Sequence, residues 1–358
     1  MSVRVLIVDD SATMRAIVAA RLSGHAGIQV VGLAGDAAEA RAAMKALEPD
    51  VVTLDIEMPG MNGLEFLDKI MTLRPTPVII VSSRTQAGSE ITARALALGA
   101  VGTYCKSRLT NAPNASHAQP IDDGGNLAEL VLQAGQMQLR RRPATTTPAF
   151  SGHAAPPASA DGGIGTRGRT GPKNSRLIVI GSSTGGVEAL QVLLSRFPAD
   201  CPPTMIVQHV DARFTAAIAR TLDMACPASV LVGEANMPLR RGMIVLAPGG
   251  DRHMTVAGST ELHVKLRPGD PIAGHRPSVD ALFHAAAATV GREAVGILLT
   301  GMGADGSQGL LALSRTGALT IAQDEASCTI FGMPRVAIAL GAAKVVAPLD
   351  TIATHALA

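Results

Sequence analysis

Short apolar runs recur along both halves of the chain, and each is followed by apolar residues at helical spacing. In the first half the runs are residues 3–8, 28–34, 51–54, 78–81 and 101–105. Runs this short, nearly unbroken by polar residues and bounded by turn residues, predict strands buried on both faces. Between them Met14, Ile17, Val18 and Leu22 share one helical face, 37–47 and 91–98 continue that period, and Leu64, Phe66, Leu67 and Ile70 mark another helix. A last helix is predicted over 127–139, with Leu127, Leu130, Val131, Ala134 and Met137 on one side and Asn126 and Glu129 at capping-box spacing.

The second half opens on LIVIGSSTGG, residues 177–186: a buried strand, a tight turn and a helix start over 187–196. Further strands are predicted at 204–207, 243–247, 294–299, 319–322 and 345–347, and helices at 214–224, 279–290, 309–316 and 334–340. Residues 253–256 and 261–265 form a hairpin across Ala257-Gly258-Ser259. Strands alternating with helices predict a doubly wound α/β sheet in each half, mainly parallel, the second with this small antiparallel excursion.

Residues 140–176 carry almost no apolar periodicity and are rich in Pro, Gly, Ala and Thr. They read as a flexible tether with a mean reach of roughly 30–35 Å, dividing the chain into 1–139, a linker 140–176, and 177–358. Charge sharpens the division. The tether holds seven Lys/Arg and one acid, net +6, while the whole chain is only +2. The positive charge therefore lies on the tether and not on a folded groove. With seven aromatic residues and no Trp, stacking on bases has few candidates, and no basic helix-turn-helix pattern is present, so nucleic-acid binding is not expected. No apolar run approaches the roughly 18 residues of a membrane span, and acidic residues by position 9 do not fit a signal peptide. A cytoplasmic protein without membrane insertion is expected. Cys105, Cys201, Cys226 and Cys328 are far apart and read as isolated thiols.

In parallel sheets, ligands bind beyond the carboxyl ends of the strands. In the first half this edge collects Asp9, Asp10, Asp55, Ser82 and Lys106. Crowded carboxylates repel one another. A hard divalent cation such as Mg²⁺, which takes oxygen ligands, offsets that repulsion. An aspartate held there can attack a phosphoryl group, with a hydroxyl and an ammonium neutralising the new oxygens. Any one Asp alone reads more simply as a helix cap.

VDDS, TLDIEMPGMNGLEF, VSS and the Lys after the fifth strand resemble the receiver domain of bacterial response regulators, a flavodoxin-like fold. The resemblance implies that Asp55 accepts the phosphoryl group and that Asp9, Asp10, Asp55 and the Glu57 backbone carbonyl bind Mg²⁺. Ser82 is then the switch hydroxyl, and Lys106 contacts the phosphate. Receivers usually have Pro after this Lys; here it is Ser107, and 107–125 reads as a polar insertion.

In the second half, Ser183, His209 and Asp305 follow three predicted strands. A serine hydroxyl needs a base, a neutral imidazole suits that role, and a carboxylate orients the ring. Residue type does not single these out. Ser182 is an alternative nucleophile, His253, His263, His275 and His284 are alternative bases, and the glycine turn would also suit a phosphate. The order Ser, His, Asp and the absence of GxSxG both differ from the α/β-hydrolase pattern.

GSSTGG, VQHVDARF, LAPGGDRHM, RPSVDALF, LLTGMGADG and IFGMPRVAI, in that order, resemble the chemotaxis methylesterases of the CheB family. That resemblance implies Ser183 as nucleophile, His209 as base and Asp305 as its orienting acid, with Thr184 and Met302 shaping the site and supplying oxyanion donors. It further implies hydrolysis of glutamate γ-methyl esters on methyl-accepting chemoreceptors, and deamidation of glutamine by the same site. A chemotaxis-type histidine kinase would be the phosphodonor. Mg²⁺ belongs to the receiver, and the ester chemistry needs no cofactor. A receiver tethered to a hydrolase leads to the expectation that the unphosphorylated receiver covers the Ser183 cleft. Where Ala is common in the family, position 182 is Ser. A phosphorylation-controlled binding module and a DNA-binding regulator are the other classes considered; the Ser/His/Asp set argues against the first.

Overall fold

The computed structural model of the chain describes residues 2–58, 63–82, 86–110, 127–137 and 177–358. The tether predicted at 140–176, Asn126 and most of the predicted insertion lie outside these residues.

In the first part β1 (Val3–Val8), α1 (Ala12–Ser23), β2 (Ile28–Ala34), α2 (Ala37–Leu47), β3 (Val51–Leu54), α3 (Gly63–Leu73), β4 (Val78–Ser82), α4 (Gln86–Ala97) and β5 (Gly102–Cys105) alternate, followed by α5 (Lys106–Thr110) and α6 (Leu127–Ala134). The sheet is parallel in the order β2-β1-β3-β4-β5. Its inner strands are apolar because helices cover both faces: every residue of β3 and β4 is buried. Ser11 caps α1 by accepting from the Met14 amide, and Asp36 caps α2 in the same way.

The second part holds β6 (Leu177–Ser182), α7 (Gly186–Leu194), β7 (Thr204–Gln208), α8 (Ala212–Ala225), β8 (Ser229–Val232), β9 (Met243–Leu246), β10 (Arg252–Ala257), β11 (His263–Pro268), α9 (Val279–Thr289), β12 (Ala294–Leu298), α10 (Ser307–Arg315), β13 (Leu319–Gln323), α11 (Met333–Ala339), β14 (Val345–Ala347) and α12 (Leu349–Leu357). Seven strands form a parallel sheet ordered β14-β13-β12-β6-β7-β9-β8, and β10 pairs with β11 as the expected antiparallel hairpin. The chain leaves β6 toward β7 on one side and returns to β12 on the other. The crevice between β6 and β12 is thus a switch point, where ligands bind in such sheets. In the smaller sheet the equivalent crevice lies between β1 and β3.

Four expectations need correction. The predicted helix over 127–139 ends at Ala134, where Gly135 packs on Val3 so closely that a Cβ there would lie 2.5 Å from a Val3 methyl; residues 138–139 lie outside the described residues. The predicted insertion is helical at its start, because Leu109 is buried under α1 and its carbonyl accepts from Arg21 Nη2 at 3.2 Å. The edge strand β8 was not predicted, being four residues that pair only with β9. Helix α12 was also not predicted; its buried residues are Ile352, Ala353 and Ala356, and the two alanines weaken the pattern.

The two sheets are joined by packing of α4 against α7 and α8. Gly99 lies so close to α7 that an added Cβ would be 3.1 Å from the Glu188 carboxylate. Glu90 pairs with Arg220 at 2.9 Å, both half exposed, so the pair contributes about 0–1 kcal/mol.

Candidate active site

Ser183 directly follows β6, His209 directly follows β7, and Asp305 lies in the loop after β12. These are three adjacent strands, so three distant sequence positions meet at one crevice. Asp305 is fully buried and accepts four hydrogen bonds. Ser278 Oγ (2.8 Å) and the Asp280 amide (3.0 Å) reach Oδ1, and the Val279 amide (2.7 Å) and His209 Nε2 (2.8 Å) reach Oδ2. The two amides open α9, so the carboxylate also sits at a helix N-terminus. Burial works to raise its pKa, but the His209 bond and charge and the two amides outweigh this and hold it below the ordinary value. The acid is therefore ionised and can only accept. Nε2 must donate to it, so in the neutral ring Nδ1 is the nitrogen with the lone pair. Nδ1 is buried with no hydrogen-bond partner.

Ser183 and His209 line the same cavity, of about 440 Å³, together with Thr184, Gly185, His275, Met302 and Gly303. No hydrogen bond joins the serine hydroxyl to the ring in this state; such bonds are commonly loose before substrate binds. Close packing holds the serine in place. Gly301 lies against it, with an added Cβ only 2.7 Å from Ser183 Cβ, and the Ser183 amide donates to Thr300 O at 3.0 Å. The IFGMP stretch braces that loop, since the Gly332 and Met333 amides donate to Gly301 O. Gly185, at φ 74°, supplies the left-handed residue that turns the strand into α7.

The alternatives separate in three dimensions. Ser182 is fully buried, and its hydroxyl donates to Gln208 Oε1 at 2.7 Å. His253 has both ring nitrogens engaged, accepting the Ser278 amide at one and donating to Asp270 O at the other. His263 lies in β11 and His284 is exposed on α9. His275 does join the site: its ring stacks on His209 at 3.8 Å between centroids, with 6° between planes. Burial, reinforced by the charge of His209, pushes its pKa down to about 4, so it is neutral near pH 7. Sequence reasoning counted His275 as a rival base and missed Ser278 and Gln208. The signal for Ser278 was its N-cap place before VDALF; the signal for Gln208 was its place beside His209 in VQH.

At the other edge, carboxylate oxygens of Asp9, Asp10 and Asp55 lie within 4.8 Å of one another. Lys106 Nζ pairs with Asp55 and, at 3.0 Å, with Asp9. Burial raises the Asp55 pKa despite hydrogen bonds from Lys106 and the Glu57 amide. Ser82 Oγ is buried with no hydrogen-bond partner. A crowded, oxygen-only donor set fits a hard cation such as Mg²⁺, and the orphaned Ser82 hydroxyl fits an incoming oxygen.

The edge of the first sheet roofs the Ser183 cavity: Ala100 to Cys105, Leu130 and Gln133 form its other wall. Arg213 of α8 is held by Asp211, stands over the Phe214 ring and donates from Nη1 to Cys105 Sγ at 3.2 Å. Burial works to raise the Cys105 pKa, but hydrogen bonds from Ser107 and Arg213 bring it down to about 7. The next residue along is Lys106, which reaches Asp55.

Residues 178–356 match the CheB methylesterase family model, and residues 5–111 match the response regulator receiver domain. The chain belongs to the CheB methylesterase family. It is 48% identical over 342 residues to protein-glutamate methylesterase/protein-glutamine glutaminase 1 of Caulobacter vibrioides, covering 96% of this chain and 93% of that one. It is 46% identical to the protein of the same name from Rhizobium johnstonii, covering 99% and 95%. Among solved structures, the Thermotoga maritima CheB methylesterase catalytic domain is similar at 32% identity and a TM-score of 0.50, covering 51% of this chain and 97% of that one. Among the described residues, no helix is long and apolar enough to cross a membrane.

Proposed function

We propose that this chain is a phosphorylation-activated hydrolase of the cytoplasm. It removes methyl groups from glutamate γ-methyl esters on chemoreceptors, releasing methanol, and deamidates receptor glutamines at the same site. The observation that carries the reading is the cavity that holds Ser183 and His209, with Asp305 behind the ring and the receiver edge as its roof.

In the mechanism, Ser183 Oγ attacks the ester carbonyl while Nδ1 of His209 takes its proton. Asp305 stabilises the imidazolium that forms. Backbone amides around Thr184 and Met302 receive the oxyanion, and each such donor typically contributes about 2.7–4 kcal/mol. The imidazolium returns its proton to the departing methoxide, leaving an acyl-enzyme and methanol. Water, deprotonated by His209, then attacks the acyl carbon, the Ser183 ester bond breaks, and the serine regains its proton. An amide follows the same route more slowly, because ammonia is the poorer leaving group.

Asp55 is the proposed phospho-acceptor, taking its phosphoryl group from a chemotaxis-type histidine kinase, with Ser82 and Lys106 pairing the added oxygens. Asp9, Asp10, Asp55 and the Glu57 carbonyl would hold Mg²⁺, which supplies charge compensation there. The division into a receiver at 1–139, a linker at 140–176 and a catalytic domain at 177–358 is part of this reading. Phosphorylation draws Lys106 toward new oxygens and shifts the adjoining Cys105–Arg213 contact, biasing the receiver away from the cavity. Methanol release from methylated receptor membranes, with and without a small phosphodonor, tests the proposal. Release should rise severalfold with the donor in wild type and not in Asp55→Asn. Equal activation of both proteins counts against the regulatory half, and the absence of methanol counts against the chemistry.

A further inference from the structure

We infer that Gln208 is a positioning residue that ties the nucleophile's turn to the base's turn, with Ser182 orienting its carboxamide; this rests on the proposed roles of Ser183 and His209. The Gln208 side chain is buried between β6 and β7. Its Nε2 donates to two carbonyls at once, Ser183 O at 2.8 Å and His209 O at 2.9 Å. Its Oε1 accepts from Ser182 Oγ at 2.7 Å. A carboxamide has one donor end with two hydrogens and one acceptor end, and here both hydrogens and the oxygen are used. Gln208 therefore has no donor left for a substrate and acts through its two neighbours.

The orientation is enforced. Reversed, the amide would set its oxygen against two carbonyl oxygens and leave both unpaired in a buried place, where an unmade bond is costly. The Ser182 hydroxyl supplies the donor that Oε1 needs. The last glycine of GSSTGG belongs to the same device: a Cβ on Gly186 would lie 2.1 Å from Oε1 and 2.8 Å from Ser182 Cβ. A backbone bond, His209 N to Ser182 O at 3.0 Å, runs alongside. The nucleophile and the base sit on separate strands, and misplacement by about 1 Å can cost about 100-fold in rate. This bridge fixes their separation.

The test uses the full chain with a small phosphodonor. It reads methanol release from methylated receptor membranes and the rate at which a fluorophosphonate ester modifies Ser183. Gln208→Met, similar in shape but unable to bridge, should lower kcat about 30- to 100-fold with KM within twofold. It should slow serine modification by a similar factor while keeping a cooperative thermal melt. Ser182→Ala should lower kcat about threefold at unchanged KM, and Ser182→Thr, which keeps the hydroxyl, should restore it. Gln208→Met with turnover and modification within twofold of wild type overturns the inference. Should that variant fail to fold, Ser182→Ala at the wild-type rate overturns it. A wild type that neither releases methanol nor takes up the fluorophosphonate overturns the proposed function along with it, whereas an active wild type matched by Gln208→Met overturns the bridge alone.

Discussion

Asp55 and Asp305 sit in equivalent places. Each is buried beyond the carboxyl end of a strand in a parallel sheet, beside the crevice where strand order reverses. Their protonation leans in opposite directions. Asp305 receives four donors and is held below the ordinary carboxyl pKa. Asp55 receives Lys106 and one amide, has Asp9 for a neighbour, and is pushed up by burial. The protein has satisfied one carboxylate so that it stays still and orients a ring. It has left the other partly unsatisfied, which suits the proposed role of Asp55 as the group that a cation and a phosphoryl group would stabilise. In the proposed function, the same fold edge thus serves as a fixed support in one half and as a reactive, chargeable site in the other.

The largest effect that sharpens this contrast is at the proposed nucleophile, Ser183. Ser183→Ala should reduce methanol release by at least about 10³-fold while phosphoryl uptake at Asp55, followed with a labelled phosphodonor, stays at the wild-type level. Loss of both would mean that the two edges do not work as separate sites.

Next come the aspartates themselves. Asp305→Asn should destabilise the fold by about 2–3 kcal/mol in urea melts, because an amide cannot accept all four donors, and Asp55→Asn should raise the melting midpoint by relieving a crowded charge. Asp305 contributes stability above its unfolded value near 3.8 and loses that contribution as pH falls through the lower folded value. The gap between wild type and Asp305→Asn should therefore close only in strong acid. Two variants that shift stability in the same direction would break the comparison.

The smallest effect concerns His275, stacked on His209. Its pKa is about 4 when folded against 6.5 when unfolded, so the unfolded chain binds the extra proton first. Stability should decline as pH falls from about 6.5 to about 4, and His275→Phe, which stacks but does not titrate, should flatten that decline in thermal melts.

Much of the fold was legible in the strand runs, because a strand buried on both faces must be apolar throughout and the turns that end it must carry the polar residues. The corrections fell where this logic weakens. β8 is an edge strand, α12 buries two alanines beside Ile352, and α6 stops where Gly135 meets Val3, a contact no local pattern encodes. The receiver edge was readable because its chemistry is clustered by charge type: acids, a hydroxyl and a lysine at successive strand ends.

The sequence by itself determined the two parallel sheets, the acidic edge at Asp9, Asp10 and Asp55, and the family from which Ser183, His209 and Asp305 were assigned. It left Ser182 and Ser183 equivalent as hydroxyls and offered five histidines as bases. Only the tertiary structure separated them, by burying Ser182 against Gln208, occupying both nitrogens of His253 and leaving Nδ1 of His209 without a partner. The reason is physical. Whether a hydroxyl or an imidazole is reactive depends on which partners its lone pairs and protons already hold, and those partners come from strands and helices distant in the chain.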